Sequence, residues 1–239
     1  MVFDGVLFYP TSDGTVHALK IATREKVWEY KSKSSVNAFA LRAETIVTGG
    51  DKGKVRGLSV KTGAELWAFD ADDAVDTITI GRTAVYLRTR SGILYALDLQ
   101  GGKQLWAAKA GGPVRRLSPV TTVKIGTSLA FWNDTLFFVG VDGAKDMLFA
   151  IGAQDGKTLW KAGLGSPARS PVVAGGTIYV GTFGMLYAID STTGNEIFST
   201  PKHTSDNEGR PHKNVVSAPI PYGDSLVFVS DDGHVYAVR

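Results

Sequence analysis

The chain repeats itself, and this constrains its fold more than any other property of its 239 residues. Six segments share one form: an apolar residue, a ring or long side chain, Ala or Gly, and a second apolar residue. They are Val16–Leu19, Val55–Leu58, Leu94–Leu97, Leu148–Ile151, Leu186–Ile189 and Val235–Val238, and their starts lie 39, 39, 54, 38 and 49 residues apart. A turn and then an aromatic residue follow the first five, at Trp28, Trp67, Trp106, Trp160 and Phe198. A second β-branched or aromatic run precedes each segment, as Thr177–Val180 precedes Leu186–Ile189, and Gly-containing turns such as Asp13-Gly14, Ser91-Gly92 and Asp232-Gly233 join the two.

Short β-rich runs joined by Gly turns make antiparallel hairpins, and no segment sustains the period of a helix. Four strands in every 40 residues or so is the period of a propeller blade. The pattern therefore predicts an all-β chain: a β-propeller of six blades of about 40 residues, with an incomplete sixth blade lacking its last strand. Residues 1–239 read as a single propeller domain or as a portion of a larger propeller. Within each unit, the Gly of the turn before the ring (Gly63, Gly102, Gly156, Gly194) supplies a positive backbone angle, and the ring itself is expected to pack between blades.

The unit Tyr-x-Gly-Thr … Leu-Tyr-Ala-Ile-Asp-x-x-Thr-Gly-x-x-x-Trp, seen from Tyr179 through Phe198 and from Tyr86 through Trp106, resembles the PQQ-like (quinoprotein-like) β-propeller repeat, and does so over nearly the whole chain. Within that family it is similar in flavour to the bacterial BamB-type outer-membrane assembly lipoproteins. The resemblance implies that Trp28, Trp67, Trp106, Trp160 and Phe198 are structural residues that lock neighbouring blades. It also implies a periplasmic or extracytoplasmic location, although the start of the sequence carries no signal-peptide pattern. BamB-type proteins have eight blades and an acylated Cys, and this chain has neither.

Composition closes off other classes. With 44% hydrophobic residues and a net charge of +3, the chain is able to build a core and is not disordered. The absence of Cys excludes disulfides and thiolate zinc, and no apolar run is long enough to span a bilayer as a helix. The basic pI comes from scattered Lys and Arg, so neither nucleic-acid binding nor direct membrane insertion is expected. Asp70, Asp72, Asp73 and Asp76 lack the glycine and closing Glu of a calcium loop and read as a solvated connection. His17 falls in the register of Tyr95, Phe149, Tyr187 and Tyr236, which gives it a packing role; His234 follows a turn and reads as exposed.

The connections single out one sector. From each ring to the next inner hairpin run there are 18 residues (Trp28 to Ile46, Trp67 to Val85, Trp160 to Ile178), but 30 from Trp106 to Leu136 and 28 from Phe198 to Leu226. A long loop is also expected at Val141 to Asp146 in blade four. These three additions belong on one face of blades four to six. There they would carry a basic candidate site for a protein partner, made of Arg115, Arg116, Leu117, Lys124, Lys145, Lys202, His203, Arg210, His212 and Lys213. The resulting expectation is a non-catalytic scaffold for protein–protein interaction, not an enzyme, with no cofactor and no metal, and with self-association available through the incomplete blade. The alternatives are an extracytoplasmic sensor or ligand-binding domain of a larger protein and, further off, a fragment of a PQQ-dependent dehydrogenase. The last would require a vicinal Cys pair that the chain lacks.

Overall fold

The computed structural model describes residues 1–112, 128–143, 145–164, 168–182, 185–199, 218–222, 225–229 and 234–238. Among them every regular element is a β-strand, and all pairing is antiparallel between consecutive strands. The residues divide into two compact units, Met1–Lys109 and Ala110–Arg239.

The first unit holds three four-stranded sheets. Sheet one is β1 (Val2–Phe3), β2 (Val6–Pro10), β3 (Thr15–Lys20) and β4 (Lys26–Lys31). Sheet two is β5 (Val36–Arg42), β6 (Thr45–Gly50), β7 (Lys54–Ser59) and β8 (Glu65–Asp70), and sheet three is β9 (Val75–Ile80), β10 (Ala84–Thr89), β11 (Ile93–Asp98) and β12 (Gln104–Lys109). In the second unit, sheet four is β13 (Ala130–Trp132), β14 (Thr135–Asp142), β15 (Lys145–Gly152) and β16 (Thr158–Leu164). Sheet five is β17 (Val172–Ala174), β18 (Thr177–Thr182), β19 (Met185–Asp190) and β20 (Glu196–Ser199). Sheet six has three strands among the described residues, β21 (Ile220–Tyr222), β22 (Ser225–Val229) and β23 (Val235–Val238). Six sheets, the last of them one strand short, match the repeat read from the sequence.

Alternation along each strand gives every sheet two different faces. One, the ring face, carries Phe8 and Ala18 in sheet one, Val47 and Gly57 in sheet two, Tyr86 and Ala96 in sheet three, and the paired Phe137/Ala150, Tyr179/Ala188 and Val227/Ala237 in the others. The opposite, aliphatic face carries Leu7/Leu19, Ile46/Leu58, Val85/Leu97, Leu136/Ile151, Ile178/Ile189 and, in sheet six, Leu226. Where consecutive sheets of one unit meet, the ring face of the earlier covers the aliphatic face of the later. Phe8, Val16, Ala18 and Trp28 pack with Ile46 and Leu58. Val47, Val55 and Trp67 pack with Val85 and Leu97, and Phe137, Ala150 and Trp160 with Ile178 and Ile189. Leu186 and Tyr179 meet Leu226 and Phe228 in the same way.

A feature invisible in the sequence recurs in all five four-stranded sheets. The pairing of third and fourth strands slips by one residue after Ala18, Gly57, Ala96, Ala150 and Ala188, each of which sits directly opposite a ring. The extra residue of each β-bulge is the apolar one just before the ring: Val27, Leu66, Leu105, Leu159 or Ile197. These five side chains are 42–57% exposed, although their position in the sequence suggests core.

Candidate functional site

Of the five rings that the sequence marks on the fourth strands, Trp28, Trp67 and Trp160 join sheet to sheet. Trp28 lies over Gly63 of sheet two and donates its indole N–H to the Val60 carbonyl at 2.8 Å. Trp67 lies over Gly102 of sheet three and donates to Leu99 at 2.9 Å; Trp160 lies over Gly194 of sheet five and donates to Ser191 at 3.3 Å. The three glycines have φ of 71°, 67° and 74°, and a Cβ on any of them would stand 2.5–2.7 Å from ring carbon. Glycine is therefore required twice over, by the left-handed turn and by the ring against it. Trp106 is half-buried, whereas Phe198 is exposed.

Among the described residues, connections between sheets and turns between second and third strands lie together at one end of a sheet. In the first unit, Ser32 donates to Gly14 at 3.1 Å, Ala71 to Gly53 at 2.9 Å and Arg90 to Ala74 at 2.8 Å, each joining a connection to a turn. In the second, Gly112 bridges Val141 and Arg169 donates to Gly181 at 2.8 Å. The expected partner site is assigned to these loops. Of its ten residues Lys145 alone is described; Arg115, Arg116, Leu117, Lys124, Lys202, His203, Arg210, His212 and Lys213 lie outside the described residues.

Lys145 differs from expectation in its setting. Most of Val141 to Asp146 is strand and not loop: β14 runs to Asp142 and β15 starts at Lys145, with Val141 opposite Asp146 and Asp142 opposite Lys145. Both strands are eight residues long, against six in the corresponding pairs of sheets two, three and five. Lys145 is exposed beside the tip. The neighbouring Asp142 is engaged by Lys161 at 2.8 Å, whose ammonium also stands 5.3 Å from the centre of the Phe149 ring.

The same end of the first unit carries a polar network that the sequence did not announce. Asp51 accepts hydrogen bonds from Ser35 and Asn37 and lies 3.9 Å from Arg90, which reaches Asp76 at 3.6 Å. Arg88, nearly fully buried, has its charged form disfavoured first by that burial and supported by the Asp76 carboxylate. The acidic run is thus bound up in the fold. Asp70 pairs with Lys54 at 2.5 Å and Arg56 at 3.4 Å. Asp72 accepts from Ser91 at 2.5 Å and Tyr95 at 3.0 Å. Burial opposes the charge on Asp72, yet these hydroxyls, with that of Thr89, hold its carboxyl below the ordinary value. No group of three His, Asp or Glu suited to a metal ion occurs among the described residues. His17 stacks on Tyr9 with centroids 5.2 Å apart, and His234 is exposed.

Solved structures that share this fold include the following two. The computationally designed Ika8 protein superposes with a TM-score of 0.80 at 18% identity, over 99% of this chain and 69% of that one. BamB from Moraxella catarrhalis superposes with a TM-score of 0.74 at 19% identity, over 98% of this chain and 70% of that one. No curated protein matches the sequence. The family model described as outer membrane protein assembly factor BamB matches residues 1–200 and 144–239. With its repeats, its six sheets and that match in agreement, the chain belongs to the PQQ-like β-propeller family of outer membrane protein assembly factor BamB.

Proposed function

We propose that this propeller is a non-catalytic scaffold that holds a protein partner on the loop end of its sheets, in the extracytoplasmic assembly of outer-membrane proteins. The observation that carries the reading is the family match along the chain to an outer-membrane assembly factor. Two features support it. Trp28 and Trp67 serve sheet-to-sheet contacts, Asp72 is bound by the Tyr95 hydroxyl and His17 stacks on Tyr9, so each of these residues has a structural use. The connections and hairpin turns share one end, the arrangement by which a rigid scaffold presents binding loops. Among the described residues no helix is long and apolar enough to cross a membrane.

The partner surface in this reading is the basic loop sector of blades four to six, and self-association through the three-stranded sixth sheet is a second contact that it allows. Capture from native envelope extract tests the first, comparing the wild type with a variant carrying Arg115→Glu, Arg116→Glu and Lys213→Glu. The expected result is recovery of an outer-membrane assembly component by the wild type and its loss with the variant at unchanged melting temperature. Equal recovery by both, or no such component with either, overturns the sector.

A further inference from the structure

In the four-stranded sheets the fourth strand is an edge, and sheet two is packed on both sides by described sheets of its own unit. Among the described residues its fourth strand, β8, pairs only with β7. An edge strand turns alternate backbone groups away from its sheet. Ala71 donates to Gly53 at 2.9 Å, which starts the ladder on a hydrogen-bonded pair. Alternation from there directs the N–H and C=O of Phe69 and Trp67 to β7, and those of Ala68 and Asp70 outward. The bulge at Leu66 ends the regular stretch, so the open edge is confined to these two residues.

Proteins commonly guard such edges with a charged side chain. The residue after the ring carries that charge in sheets one and four: Glu29, paired with Lys26 at 3.1 Å, and Lys161, paired with Asp142 at 2.8 Å. In sheet two the same place is Ala68, exposed and uncharged, close to Leu66 at 53% exposure. Sheet three repeats the alanine at Ala107, but β12 leads into residues outside the described set. The charges at the two ends of β8 are already answered. Glu65 accepts from Tyr30 at 2.8 Å and lies 3.6 Å from Arg56, and Asp70 is held by Lys54 and Arg56. A charged occupant of either sign therefore finds no open counter-charge, whereas an uncharged strand finds backbone groups and an exposed aliphatic side chain.

We propose that the outer edge of β8 is a docking site for an extended, uncharged segment of a partner protein, which adds to sheet two as a fifth strand. The N–H and C=O of the segment pair with those of Ala68 and Asp70, and an aliphatic or aromatic residue beside them covers Leu66. In strand addition of this kind the main-chain bonds supply affinity and the alternate side chains supply selectivity. The contact extends the scaffold reading, on which it rests for the partner being a protein, and it shares no residue with the loop sector.

Amide hydrogen exchange followed by nuclear magnetic resonance on the whole chain tests it, with an end-blocked decapeptide alternating threonine and valine as the probe. The amides of Ala68 and Asp70 are expected to exchange fast in the free protein. They should slow about tenfold with the peptide at roughly ten times its dissociation constant. The same peptide methylated on every backbone nitrogen keeps its side chains but loses its donors, and is expected to give no slowing. Ala68→Glu, which installs the residue that sheet one already accommodates at Glu29, is expected to abolish the slowing with the plain peptide. Should that variant fail to fold, Ala68→Lys supplies the charge that sheet four carries at Lys161. No slowing at any peptide concentration reached, equal slowing by the methylated peptide, or slowing that survives the charged variant overturns the proposal. The triple charge reversal in the loop sector should leave the slowing intact, so the two readings fail separately.

Discussion

Trp67 shows how much one side chain is asked to do. Its ring lies between Gly57 of its own sheet and Gly102 of the next, and its N–H satisfies the Leu99 carbonyl. Trp67→Ala should lower stability by about 3–5 kcal/mol, the usual cost of removing a core aromatic, as read by urea unfolding. Arg24 is the converse case. It holds the left-handed turn that Gly63, Gly102 and Gly194 hold elsewhere, and a side chain there costs roughly 1–2 kcal/mol, partly offset by the entropy that a glycine would lose. Arg24→Gly is therefore expected to stabilise the protein by up to about 1 kcal/mol in the same measurement. The rings and glycines were legible because they recur at one register. Arg88 and the Asp51–Arg90–Asp76 network were not, since residues of several different loops and strands meet there and no local pattern announces the meeting.

Between elements, Tyr30 on β4 and Glu65 on β8 tie sheet one to sheet two, the phenol donating to the carboxylate at 2.8 Å. Burial, and then the Glu65 carboxylate, push the Tyr30 hydroxyl up from 10.0 to about 12. A raised acid stabilises the fold while it stays protonated. The contribution is therefore complete below pH 10 and is lost as pH rises through about 12. Thermal melts of the wild type and Tyr30→Phe should differ at neutral pH and converge across that interval, with the tie to Glu65 already absent in the variant. The element scale is also where the sequence reading needed correction. Val141 to Asp146 looks like a loop because Gly143 follows an Asp, but Val141 and Asp146 are paired and the hairpin simply continues. The bulges mislead in the opposite direction, since an apolar residue beside a core ring suggests burial until the slipped register turns it outward.

At the scale of the molecule, six sheets repeat one plan and consecutive sheets of a unit pack by one rule, ring face on aliphatic face. Every regular element among the described residues is a strand. The far-ultraviolet circular dichroism of the whole chain should accordingly show the single minimum of β-structure; the double minimum of a helical protein would contradict this fold. Stability on this plan is spread over many similar interfaces, so a lesion such as Trp67→Ala is expected to weaken the structure without abolishing it.

The sequence by itself determined the strands, their grouping by fours, the tight turns and the residues that join sheet to sheet. These follow from alternation, β-propensity and glycine's access to positive φ, all of which act over a few neighbouring residues and are repeated often enough to read. Tertiary structure alone decided which apolar residues face solvent and which charges share a network. Those outcomes depend on strand register and on what lies across a gap from residues some 30 or more positions away, as Val60 lies from Trp28, and no local pattern encodes them.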